Sequence, residues 1–174
     1  MSIEREGLIT FSGQDLTVLG PDIPVGQYAP EFSVHANDWS TIKALESTRG
    51  KVRIIAAFLS VSTSVCDREI RRFNEEAARL GEDVVILTLS MDLPFTLKNW
   101  CGAAGVDRVM TLSDHMTGDF GEKYGVLLKE LRFFRRAIFI VDRQGKVVYA
   151  DYMPVLGDEP KYDEVLAAAR AALG

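Results

Sequence analysis

The chain has 174 residues, 47% hydrophobic and 26% charged, with a formal net charge of −5. That length suits one domain with a sizeable core, expected over residues 1–174, and mild acidity without a basic block argues against a nucleic-acid backbone as partner. Residues Met1 to Glu6 show no basic stretch leading into an apolar run, and no apolar run approaches the roughly 20 residues that span a bilayer; a cytoplasmic protein with no membrane partner is expected.

Two short apolar runs within residues 8–19 flank Ser12-Gly13-Gln14-Asp15, which marks a β-hairpin. Gly20-Pro21 through Ala29-Pro30 reads as a loop, and Phe32 to His35 as a short strand. Val52 to Leu59 is nearly continuous in apolar residues, the pattern of a strand buried on both faces. From Asp67 the period changes. Ile70, Phe73, Ala77 and Leu80 recur at helical spacing among charged residues, which predicts a helix over about 66–80 that stops at Gly81.

Val84 to Leu89 is a second buried-type strand, Pro94 to about Cys101 a short helix with proline in its first turn, and Val109 to Leu112 a brief strand. Ala137 to Val141 and Lys146 to Asp151 form a hairpin across Asp142-Arg143-Gln144-Gly145. Pro160 to Leu173 predicts a terminal helix with Tyr162, Val165, Leu166 and Ala169 on one face. A βαβ unit followed by a ββα unit is the thioredoxin-like arrangement: an α/β fold with a mixed central sheet flanked by helices on both faces. An N-terminal β-hairpin and an insertion over 104–134 are added to it.

There are two cysteines, Cys66 and Cys101. A reducing compartment disfavours a permanent structural disulfide. With only His35 and His115 besides, widely placed, the chain lacks the ligands of a structural zinc site, and no metal or other cofactor is expected. Cys66 lies just past a buried strand, where reactive groups gather in open α/β sheets. It also opens a helix, whose first turn offers free N–H groups and a partial positive charge that favour a thiolate. Ser60, Ser62, Thr63 and Ser64 precede it, more hydroxyls than an N-cap needs.

Ser62-Thr63-Ser64-Val65-Cys66, followed by Arg71-Arg72-Phe73-Asn74, resembles the active-site loop of peroxiredoxins, and within them the thiol peroxidase branch of the atypical two-cysteine type. Leu89-Ser90-Met91-Asp92-Leu93-Pro94-Phe95 with Trp100-Cys101-Gly102 is similar to that branch's second-cysteine segment. Leu112-Ser113-Asp114-His115, Phe120-Gly121 and Tyr124-Gly125-Val126 fit the next segment, and Arg136 to Asp142 the arginine-bearing strand. Val25-Gly26 with Ala29 to Phe32 fits the entry segment. The likeness runs over about residues 7–173.

The resemblance implies a peroxidase in which Cys66 attacks a hydroperoxide, Thr63 hydrogen-bonds it, Arg136 stabilises the thiolate, and Cys101 resolves the product as an intramolecular disulfide. It further implies thioredoxin as reductant and a homodimer. The general chemistry agrees, since donors aimed at the leaving oxygen lower the barrier and a second thiol converts a sulfenic acid to a disulfide. Arg135 would point to the opposite face of the strand, and only the resemblance selects Arg136.

Leu59 stands where peroxiredoxins carry proline, Ser62 where the branch carries aspartate, and Gln27 where it usually has aspartate. These changes spare the thiols, the hydroxyl and the arginine, and are expected to tune the rate. A peroxide-responsive sensor or binding protein with weak turnover is the alternative reading. A disulfide oxidoreductase is disfavoured, because Cys66 lies in no C-x-x-C motif.

Overall fold

The computed structural model describes residues 2–174. The N-terminal hairpin pairs β1 (Glu4–Phe11) with β2 (Gln14–Leu19) in antiparallel register. Its turn is Ser12-Gly13 alone, with φ of 49° and 80°. A two-residue loop with both φ values positive twists with the strands it joins, so Gln14 and Asp15 belong to β2 rather than to the turn.

β3 (Ser33–His35) and β4 (Thr41–Lys43) form a second small hairpin, leading into the one-turn α1 (Ala44–Ser47). β5 (Val52–Ala57) is buried at every position. α2 (Ser64–Leu80) follows and starts two residues before the expected 66, because Thr63 and not a later residue caps it. Gly81 ends it in an extended conformation of positive φ, 82°. Then come β6 (Val84–Ser90), α3 (Pro94–Ala104), β7 (Met110–Ser113), α4 (Asp119–Lys123) and β8 (Leu127–Leu128). The chain closes with β9 (Ala137–Val141), β10 (Val147–Tyr152) and α5 (Tyr162–Ala172).

The expected mixed sheet is present, with strand order β10-β9-β5-β6-β7-β3-β4. β5, β6 and β7 run parallel, and β9 lies antiparallel beside β5. A separate three-stranded sheet has the order β1-β2-β8. The expected insertion therefore divides: β7 extends the large sheet and β8 the small one.

Side chains alternate across β5 and divide the core in two. Ile55 and Ala57 join Phe32, Phe120, Tyr124, Phe134 and Phe139 on one face. Val52, Ile54 and Ala56 join Ile70 and Phe73 of α2, Leu97 of α3, and Val165, Leu166 and Ala169 of α5 on the other. Arg53 is also buried in β5. It is tolerated because its guanidinium donates to Thr48 Oγ1 (2.9 Å), Asp142 O (2.8 Å) and Leu45 O (2.8 Å). Gly20 is required for close packing: a Cβ there would lie 1.8 Å from Glu122 O. Among the described residues no helix is long and apolar enough to cross a membrane.

Candidate functional site

Three sequence-predicted site residues meet where β5 ends and α2 begins. Thr63 is the N-cap of α2, extended at φ −91° and ψ 143°, and its hydroxyl accepts the Cys66 N–H at 3.4 Å. Such a cap contributes about 1 kcal/mol to the helix. The hydroxyl proton goes to Ser60 O at 3.1 Å. Cys66 is the third helical residue, and its side chain is wholly buried in the α2 face of the core. β9 supplies the counter-charge at its entry. Arg136 Nη2 donates to Cys66 Sγ at 3.1 Å.

Arg136 is 1% exposed, yet it is satisfied on several sides. Nη1 donates to Glu69 Oε2, and Nη2 also reaches Leu156 O at 3.4 Å. Glu69 lies one turn after Cys66 on the same helix face and is itself fully buried. Burial pushes the Glu69 carboxyl well above the usual carboxylate range, against the pull of Arg136. Burial would lower the Arg136 pKa, but the neighbouring Glu69 and Cys66 raise it instead, so the guanidinium stays charged beside the sulfur. Sequence reading missed Glu69, which stands among the charged residues of α2. Its spacing of three from Cys66 was the available signal.

Arg135 does point to the other side. It donates to Asp22 and to Gly125 O (2.9 Å) and lies over the Tyr152 ring at 4.2 Å.

Cys101 is placed differently. α3 runs on to Ala104, so Cys101 sits within the helix rather than at its end. It is half-buried against the same apolar layer as Cys66, and its sulfur lies 3.3 Å from Thr111 Oγ1. It lines an open cleft of about 500 Å³ with Asn37, Asp38, Asp107 and Thr111. Both cysteines are free thiols. α3 is tied to α2 by Trp100 Nε1 to Asp67 Oδ1 (3.1 Å) and by Arg71 Nη1 to Ala104 O (3.3 Å). A second cleft, of about 320 Å³, opens on Thr63 and is walled by Phe11, Leu59, Met91 and Phe133. Phe134, by contrast, is core, and Trp39 packs edge-on to Phe95 and His115 at the surface. His115 lies in the turn after β7. No group of three or more His, Cys, Asp or Glu among the described residues could hold a metal ion.

Residues 24–166 match the Redoxin family model. The chain is 49% identical to a thiol peroxidase of Oceanobacillus iheyensis over 159 residues, covering 91% of this chain and 96% of that protein. It is 48% identical to a thiol peroxidase of Bacillus subtilis (strain 168) over 163 residues, covering 94% and 96%. Among solved structures, a peroxiredoxin-like protein from Aquifex aeolicus superposes with a TM-score of 0.84 at 35% identity, covering 97% of each chain.

Proposed function

The chain belongs to the redoxin family and, within it, to the thiol peroxidases, and from that membership we propose that Cys66 is the sulfur that peroxide oxidises and Cys101 the one that resolves it. The protein is a thiol-dependent peroxidase. The observation that carries the assignment of Cys66 is the Arg136 Nη2–Sγ contact of 3.1 Å in the first turn of α2. A fixed cation and the free N–H groups of a helix start both stabilise a thiolate and the negative charge that develops during attack.

In this reading the Cys66 thiolate attacks one peroxide oxygen, the S–O bond forms and the O–O bond breaks. The second oxygen leaves as water or an alcohol after taking a proton, and Cys66 becomes a sulfenic acid. Thr63, which opens onto the cleft, orients the peroxide. The Cys101 thiol then attacks the oxidised sulfur, releasing water and forming the disulfide. Closing that bond needs Cα atoms within about 7 Å, and the ties from Asp67 and Arg71 to α3 must yield for it. A thioredoxin dithiol reduces the disulfide by exchange. The active assembly is a homodimer, and the exposed Phe95 ring packed on Trp39 belongs to the surface it would cover.

The test is a coupled assay with thioredoxin, thioredoxin reductase and NADPH, using hydrogen peroxide and an alkyl hydroperoxide. Native protein should consume peroxide continuously and Cys66→Ser should not. Full turnover by Cys66→Ser would refute the assignment.

A further inference from the structure

The loop between β5 and α2 carries Leu59 where proline would stiffen it, yet it is held from outside by one side chain. Asp92, in the connection between β6 and α3, accepts from Ser60 Oγ at 2.7 Å through Oδ1 and from Val61 N at 2.9 Å through Oδ2. Ser90 Oγ fixes the same carboxylate from behind at 3.0 Å, and Ser113 Oγ donates to the Asp92 carbonyl at 2.6 Å. The anchored loop passes this constraint on. Ser60 O accepts both the Thr63 N–H and the Thr63 hydroxyl, each at 3.1 Å. Thr63 in turn caps the helix at Cys66. Bonds to a carboxylate are shorter and stronger than neutral ones, so this is a firm tether.

We propose that Asp92 is a positioning residue of the peroxide reaction: its carboxylate, bonded to Ser60 and Val61, fixes the loop that presents Thr63 to the oxidant. The tether does mechanically what a fixed φ at position 59 would do covalently. Asp92 lines the cleft beside Thr63, but both its carboxylate oxygens are taken up by loop donors, and it makes no bond to Arg136 or Cys66. The proposal rests on Cys66 being the oxidised sulfur.

The experiment uses the full chain with Cys101→Ser, in which Cys66 is the single thiol, and compares it with the same chain carrying Asp92→Asn. The asparagine keeps the shape but replaces one acceptor with a donor that faces donors. Two rates are measured on each: oxidation of Cys66 by hydrogen peroxide, followed by sulfenic acid trapping, and alkylation of Cys66 by iodoacetamide. Alkylation needs the thiolate but not the positioned hydroxyl. A loop misplacement of about 1 Å lowers peroxide oxidation on the order of 100-fold while alkylation stays within about twofold. Adding Leu59→Pro should restore part of the oxidation rate.

Ser60→Ala, which removes one arm of the tether, should give a smaller loss of the same selective kind, and stands in if Asp92→Asn does not fold. Equal loss in both rates, or no loss in oxidation, overturns the proposal. If peroxide leaves Cys66 unoxidised in the parent, the Cys66 reading fails and this proposal with it. If the parent reacts and the variant reacts as fast, the Asp92 proposal fails alone.

Discussion

The surroundings of the two cysteines are opposites. Cys66 is wholly buried, sits in the first turn of a helix, and has a charged guanidinium 3.1 Å from its sulfur with a buried carboxylate behind it. Cys101 is half-exposed in the body of a helix, lines an open cleft, and has the neutral hydroxyl of Thr111 3.3 Å from its sulfur. The first setting is preorganised for charge and shielded from bulk water. The second is ordinary and accessible. One fold thus separates reactivity from availability, and the separation can be attacked from either side.

Removing each sulfur gives the largest contrast. Cys66→Ser should abolish peroxide reduction. Cys101→Ser should still allow one round of oxidation and leave a sulfenic acid that a dimedone-type probe captures, detected by mass spectrometry. A protein that turns over normally without Cys101 would erase the distinction between the two sites.

Next in size is the charge at the buried site. Arg136→Met removes a preorganised donor and should lower kcat/KM by about 100- to 1000-fold. It also strands Glu69, at a stability cost of about 3–5 kcal/mol in urea unfolding. Adding Glu69→Met should return much of that stability without returning the rate, because an apolar pair can replace a buried ion pair but cannot hold a thiolate. Recovery of both would mean that the pair serves folding alone.

A milder handle is pH. The Glu69 carboxyl is raised above its unfolded value by burial, to about 7. The folded protein then binds this proton more tightly than the unfolded chain does. The associated stability is fully present below the unfolded value of about 4.5 and is lost as pH rises through the folded one. Native protein should lose stability between about pH 5 and pH 8, with a slope of at most about 1.4 kcal/mol per pH unit from this group, and Glu69→Gln should flatten it. An unchanged slope in the variant would assign the effect elsewhere.

The smallest expected effect is on rate at Arg135. Arg135→Gln removes a buried partner of Asp22 and a cation over Tyr152, so its melting temperature should fall. Its peroxidase rate should stay within about threefold of native, since additivity holds where no partner is shared. A loss as deep as that of Arg136→Met would show that the two faces of the sheet are coupled.

Much of this was legible in residue order. Val52 to Leu59 announces a strand buried on both sides because few charges interrupt it, and Ile70, Phe73 and Leu80 announce the face that α2 buries. The boundaries were less so. Ser64 and Val65 read as loop, yet they are helical because the chain caps itself at Thr63. β4 and α1 have three and four residues, too short for a period to declare itself. At the site, Cys66, Thr63 and Arg136 come together, but Glu69 and Asp92 were overlooked for one reason. A charged side chain gives no sign of its role in the sequence until tertiary packing buries it, as with Glu69, or brings it donors from a segment distant in sequence, as Ser60 and Val61 do for Asp92.

The adjacency of Arg135 and Arg136 has a further consequence, for how this chain can change in length. The segment before them is pinned: Leu128 N bonds Phe133 O at 2.9 Å, and Arg135 N bonds Val126 O at 2.8 Å. Strand side chains alternate, so one residue inserted or deleted there would turn every following side chain to the other face. After an insertion Arg135 would take the place beside Cys66 and Arg136 that of Ala137, without a single substitution, and the apolar faces of β9 would invert with them. Descent can therefore lengthen this turn only in ways that keep the strand in phase. A lone inserted codon, harmless in most surface loops, would here silence the enzyme while leaving its composition almost untouched.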